Sequence, residues 1–227
     1  MQVAKLKEYI ERYKVFLKQD REHFGVYRWE SLRIFQQQWD VAAADFGQMY
    51  DQSLQNSQSK RLWKREAWYP KEMMLTFIQM DPDLVRSMFV SLFSEEIPVK
   101  TRIVSFRDDC DSLLDRHLKT ANKPVGEDHF HGNNQMILLY LSFRYPEVYT
   151  LYDFPAFEQM MHLLKVANIP SPYELDRFVK LCQAMGKFLS TEEALLDLHQ
   201  ARLNPDQHYI EPCMLLVHDF YRTCVDL

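Results

Sequence analysis

Apolar residues recur at three- and four-residue steps along most of this chain, a period that belongs to helices rather than strands. Val3, Leu6, Ile10, Tyr13 and Leu17 define an amphipathic first helix, with Lys and Glu between them. A turn at Gly25 precedes a second helix over residues 27–39, with Trp29, Leu32, Phe35 and Trp39 on one face. Asp40 stands where it would cap a third helix carrying Phe46, Met49, Tyr50 and Leu54. Pro70 opens the next helix, and Asp81-Pro82 ends that one and starts another, with Leu84, Val85, Met88, Phe89 and Leu92 as its stripe. Proline suits a first helical position because its missing N–H would be unpaired there anyway. Residues 99–118 keep the same spacing through Ile103, Phe106, Cys110, Leu113 and Leu114.

Residues 135–164 are the packing centre expected for the second half of the chain. They read as a buried helix, a stop at Pro146, a short extended aromatic run, and a helix launched by Pro155. Downstream, Ser171, Pro172 and Glu174 form a capping-box pattern, and Ser190 with Glu193 forms a second. Asn204-Pro205 stops that helix, and Pro212 opens the last, with Leu216, Phe220 and Cys224 facing inward. Strand signals are confined to residues 148–152 and 208–210, which are able to pair with each other. The expected fold is all-α: a multi-helix bundle of about ten helices with at most a small two-stranded β element. Residues 121–134, with Pro124, Gly126 and Gly132, have loop composition. They divide an N-terminal sub-bundle, 1–120, from a C-terminal one, 135–227, within one compact unit.

Composition narrows the function classes. With five glycines in 227 residues the chain has neither GxGxxG nor GxxxxGK[ST], so no nucleotide-cradling loop is present. Cys110, Cys182, Cys213 and Cys224 include no CxxC pair, and each falls among apolar neighbours as a small buried thiol would. The first seventeen residues carry Lys and Glu rather than a continuous apolar signal core, and no apolar run nears the ~18 residues that span a bilayer. A cytoplasmic location without membrane contact is therefore expected. Charge is uneven. Residues 1–72 carry 13 Lys/Arg against 10 Asp/Glu, whereas residues 73–227 carry 14 against 22. That acidic remainder disfavours wrapping nucleic acid over the whole surface.

Any contact with DNA must then be local. Lys60, Arg61, Lys64, Arg65 and Lys71 interleave with Trp63, Trp68 and Tyr69, the cations and flat rings that a phosphate backbone and unstacked bases require. The competing reading has Trp68 and Tyr69 stapling the following helix while the cations are merely solvated. His129 and His131, two apart in a polar loop beside Asp128, suit a metal ion, but nothing supplies further ligands at recognisable spacing. Paired acids at Asp108-Asp109 and Glu192-Glu193 lie in helical contexts without a cleft pattern. No catalytic residue, no cofactor and no metal site is expected.

Several landmarks together have a familiar pattern: Trp29, Phe35, Trp39-Asp40, Asp45-Phe46 and Met49, then Tyr69-Pro70, Asp81-Pro82, Val85-Arg86 and Met88-Phe89. Phe143-Arg144-Tyr145-Pro146, Tyr149, Tyr152, Leu215-Leu216 and Asp219-Phe220 continue it. This series resembles the helical N-terminal region of bacterial McrB-like AAA+ proteins, the 5-methylcytosine-specific restriction NTPases. The resemblance implies a non-catalytic module preceding a motor domain, either excised or as a stand-alone relative, that serves DNA target recognition or regulation. Its alternative is a protein-interaction module that docks a nuclease subunit or assists assembly of the oligomer.

Overall fold

A computed structural model describes residues 1–20, 23–57, 68–121 and 128–227. Among these residues lie eleven helices and no strand: α1 (Val3–Gln19), α2 (Tyr27–Gln38), α3 (Phe46–Ser53), α4 (Trp68–Met80), α5 (Pro82–Leu92) and α6 (Val99–Ala121) come first. They are followed by α7 (Gln135–Arg144), α8 (Phe154–Leu163), α9 (Leu175–Leu189), α10 (Glu193–Gln200) and α11 (Leu215–Cys224). The all-α expectation holds.

Packing groups the chain differently from the division expected at 121–134. One unit is Met1–Glu30 with Tyr145–Leu227, and the other is Ser31–Arg144. The chain passes between them inside α2 and directly after α7. Residues 135–164 are thus not one packing element: α7 belongs to the second unit and everything from Tyr145 to the first.

In the Ser31–Arg144 unit, α3, α4, α5 and α6 pack on one another. Helix α7 is apolar all round and buried from Met136 to Phe143, so it runs through the core rather than along a face. Phe89 is the hub: its ring lies 5.0 Å from Trp39, 5.1 Å from Phe106 and 5.0 Å from Tyr140, each edge-on as ring quadrupoles prefer. The Asp81-Pro82 signal works as read, with the Asp81 carboxylate accepting from the Leu84 N–H at 3.2 Å and Pro82 at the first helical position. Asp40 does not cap α3. It accepts from Ala42 N–H in a local turn, and Asp45 caps instead, accepting from Gln48 N–H at 2.8 Å.

In the Met1–Glu30 and Tyr145–Leu227 unit, α11 is the central helix, with Arg222 its only residue not buried. It packs on α1, α8 and α9, and α1 also packs on α10. Phe157 of α8 meets Phe178 at 4.7 Å and Tyr221 at 6.1 Å. Residues 148–152 form no strand: Val148 closes a turn on Tyr145 O at 3.0 Å, and 149–152 have no regular secondary structure. Their polar groups go to α11 and its entry: Thr150 Oγ1 donates to Met214 O at 2.7 Å, and Leu151 O accepts from the Tyr221 hydroxyl at 2.9 Å. Nor does the 208–210 run pair with them; Tyr209 N–H donates to Trp29 O at 3.0 Å.

Both capping boxes resolve differently. Glu174 accepts from Ser171 N–H at 2.9 Å, the backward half of a box, but it closes a turn and α9 begins only at Leu175. Ser190 ends α9, its hydroxyl donating to Lys187 O at 3.0 Å, and makes no cap for α10. Helix α11 starts at Leu215, three residues beyond Pro212. Gly25 is at φ +81°, where a Cβ would stand 2.5 Å from Arg28 Nη1, so the turn before α2 requires glycine.

Candidate functional site

Of the basic-aromatic candidates, Lys60, Arg61, Trp63, Lys64 and Arg65 lie outside the described residues. Trp68 begins α4. Tyr69 is well exposed, its ring 5.3 Å from that of Phe130. Lys71 is in a different position from a phosphate contact. It is 6% exposed, and its ammonium donates to Asp51 O at 3.0 Å and pairs with Asp51 Oδ1 at 2.6 Å. A lysine so committed ties α4 to α3 and has little charge left to present.

An apolar concavity lies elsewhere, in the Met1–Glu30 and Tyr145–Leu227 unit. A cavity of about 570 Å³ opens between α9, α10 and the segment leading into α11. Leu189, Leu196, Met214, Leu216 and Val217 form most of its wall, and Trp29 and His199 lie at its base with ring centroids 4.7 Å apart. Glu147, Lys187, Gln200 and Glu211 are exposed at its margin. The walls are positioned by backbone ties: Met214 N–H donates to Pro146 O at 2.6 Å, Gln183 Nε2 to Val148 O at 3.3 Å, and Gln200 Nε2 to Ile210 O at 3.0 Å. Gly186 makes room on the α9 side, since a Cβ there would meet Met214 Sδ at 2.9 Å.

Burial shifts two lining groups, His199 and Cys213, toward their neutral forms. Burial lowers His199 to about 4, so its ring is neutral near pH 7, and its Nδ1 has no hydrogen-bond partner among the described residues. Burial pushes the Cys213 thiol up to about 11, with the Leu215 N–H and the Trp29 indole opposing it only in part. A nucleophilic cysteine needs the opposite shift, toward thiolate. Apolar side chains make up most of the lining.

The same unit holds a buried charge network. The Asp219 carboxylate accepts from the Tyr13 hydroxyl at 2.6 Å, from Arg202 at 3.1 Å and from Arg28 at 3.5 Å. Arg202 also reaches Asp20 at 2.8 Å and Phe24 O at 2.5 Å. Two cations and two anions neutralise one another there, joining α1, α2 and α11 through the end of α10.

In the other unit, His129 and His131 acquire the partner that sequence spacing did not reveal. Cys110 of α6 is buried with them, and one ligand atom from each of the three lies within 4.8 Å of the others. The cysteine is nineteen residues upstream on an ordinary apolar stripe, so only the fold brings it in. His199, Cys213 and the rest of the cavity were likewise missed; the polar residue on an otherwise apolar helix face at His199 was the one available signal.

Comparison with known proteins returned no match among family models, curated proteins or solved structures. The landmarks of the McrB-like resemblance are mostly core positions here, including Trp29, Phe35, Phe46, Met88, Phe89, Phe143 and Phe220.

Proposed function

We propose that this chain is a non-catalytic, all-helical recognition module, and that its cavity between α9, α10 and α11 receives an apolar side chain of a protein partner with basic flanks. The observation that carries the reading is the cavity itself. Its volume is that of sites which bury one large anchor, and its wall is carbon with polar groups only at the margin. Two of the three charged marginal residues, Glu147 and Glu211, are acidic, and residues 73–227 carry 22 acidic against 14 basic side chains. That balance attracts a cationic segment and repels a phosphate backbone. The resemblance to McrB-like N-terminal regions supports the same class of module, with a nuclease subunit or another assembly component as the partner. Direct DNA reading is less well supported, because Lys71 is buried against Asp51.

The test is selection of a displayed random peptide library on the full chain, with counter-selection on Leu196→Glu. Leu196 is a half-buried wall residue, so the variant places a carboxylate in the cavity without emptying the core. Enriched peptides are expected to carry one aromatic or aliphatic anchor with Lys or Arg beside it, and to lose at least ten-fold in affinity for the variant. No enrichment, or peptides indifferent to Leu196→Glu, would sink the docking reading. DNA binding that disappears in a Lys64→Glu, Arg65→Glu double variant and is untouched by Leu196→Glu would put the DNA reading in its place.

A further inference from the structure

We propose that Cys110, His129 and His131 form a binding site for a zinc-type divalent cation, which fastens the loop before α7 onto α6. The ligand atoms already converge, lying within 4.8 Å of one another, and all three residues are buried. A tetrahedral zinc centre with Zn–S of about 2.3 Å and Zn–N of about 2.0–2.1 Å needs its ligand atoms roughly 3.5 Å apart. Closing by about an ångström is within reach of a loop, while Cys110 stays fixed on its helix.

The loop is built in a way that packing alone does not require. Asp128 Oδ1 accepts from Phe130 N–H at 2.7 Å, and Phe130 sits at φ 60°, an unusual place for a bulky aromatic residue. The result turns Phe130 outward to 38% exposure while its two neighbours, His129 and His131, are both buried.

The hydrogen bonds around the His131 ring match those that orient a metal-binding histidine, and those around His129 place a carboxylate on its far nitrogen. His131 Nδ1 lies 2.5 Å from His129 O, which can only accept, so the proton is on Nδ1 and the Nε2 lone pair is available. That Nε2 now faces the Tyr140 hydroxyl at 3.2 Å, a long contact that a metal would displace at small cost, because Tyr140 keeps Tyr50 at 2.6 Å. His129 Nδ1 accepts from His131 N–H at 3.0 Å, so its proton is on Nε2, which donates to Asp111 Oδ1 at 2.9 Å; a metal would bind at Nδ1 in place of that backbone contact and keep the Asp111 bond. A carboxylate behind a ligating imidazole is the usual outer partner of such a site.

One thiolate and two imidazoles select a borderline-soft ion such as Zn²⁺ over Mg²⁺ or Ca²⁺, which prefer oxygen. On binding, the Cys110 S–H proton leaves to solvent as the sulfur–metal bond forms. Both histidines bind as neutral rings, and no electron is transferred.

The experiment is titration of the chelator-treated full chain with Co²⁺, followed by displacement with Zn²⁺. One equivalent of Co²⁺ is expected to give the intense visible bands of a four-coordinate ion, with water as the fourth ligand beside Cys110, His129 and His131, and a thiolate charge-transfer band, both lost on adding Zn²⁺. Cys110→Ser is expected to abolish the charge-transfer band, while Cys182→Ser, a buried thiol elsewhere, keeps it. Asp111→Asn removes only the outer partner, at a side chain 64% exposed, and should weaken binding 10–100-fold with the fold intact. Absence of both bands in the wild type, or a charge-transfer band that survives Cys110→Ser, overturns the proposal. Should Cys110→Ser fail to fold, the decision falls to Asp111→Asn: unchanged affinity in that variant also overturns it.

Discussion

Replacing Asp219 by Asn should be among the most damaging isosteric changes in the chain, and its size follows from the network around it. The Asp219 side chain is 2% exposed and is shared by Tyr13, Arg202 and Arg28. Neutralising it leaves two guanidinium groups with one remaining carboxylate, Asp20, which already engages Arg202 at 2.8 Å. Arg28 would then hold an uncompensated buried charge, and its Nε has no partner among the described residues to begin with. Removing one member of a buried ion pair costs about 3–5 kcal/mol. For a chain of this size each kcal/mol lowers Tm by roughly 2–4 °C, so a fall of about 10 °C is expected. Tyr13→Phe removes only a hydrogen bond to a charged acceptor and should cost about 1.5–3 kcal/mol. Urea unfolding of both variants and of the double variant isolates their coupling, expected at about 0.5–3 kcal/mol. An Asp219→Asn cost below about 1 kcal/mol, or strict additivity with Tyr13→Phe, would refute the claim that this carboxylate holds the unit together.

Two further outcomes are expected. Burial keeps His199 at about 4 and His218 well below its ordinary value, so the unfolded chain takes up these protons first as pH falls. Stability complete above about pH 6.5 should drain toward pH 4, at about 1.4 kcal/mol per pH unit for each histidine, and His199→Gln should flatten the pH dependence of the urea midpoint. A slope unchanged in that variant would show that His199 is not held neutral by the fold. Lys71→Met removes an ion pair whose other member, Asp51, is 42% exposed and can return to water. Stability should stay within about 1 kcal/mol, and any affinity for duplex DNA should be unchanged in a salt-controlled titration; a clear drop would return Lys71 to a nucleic-acid surface.

What the sequence revealed of this fold divides by the range of the interactions involved. Asp81-Pro82 starts its helix as read, because a carboxylate, a fixed proline φ and the next N–H groups lie within one turn of chain; Asp153, not among the caps expected from sequence, caps the helix of Pro155 in the same way. Asp40 and Asp45 offered the same chemistry five residues apart, and tertiary packing placed the helix start at the later one. Ser190 was equally ambiguous: a hydroxyl between two helices can end the first or begin the second, and here it satisfies a carbonyl of the first. Residues 148–152 looked like a strand because alternating aromatics suit one, but a strand also needs a ladder. Thr150 and the Leu151 carbonyl find their partners on Met214 and Tyr221, more than sixty residues away. The same distance in sequence concealed the candidate sites. No spacing rule connects Cys110 to His129, or Trp29 to His199, and the exchange of helices between the two units is invisible to any local pattern.

The buried polar groups of the two units are hidden by different means, and this bears on what each unit can bind. Around Asp219 the charges are complete in pairs, so an incoming ion or ligand would have to break a strong contact before making one. Around His131 the members are neutral, and the contact facing the available lone pair is a 3.2 Å bond from a hydroxyl that keeps another partner. A cation there displaces that contact and the His131 N–H from His129 Nδ1, and gains a thiolate and two imidazoles in exchange. The apolar cavity of the same unit as Asp219 has the complementary property: apart from the charged margin its wall is mainly carbon. Metal binding and peptide docking therefore call on different units and different forces. Asp111→Asn should leave peptide affinity unchanged, and Leu196→Glu should leave the Co²⁺ spectrum unchanged. Cross-sensitivity in either direction would mean that the two sites do not act independently.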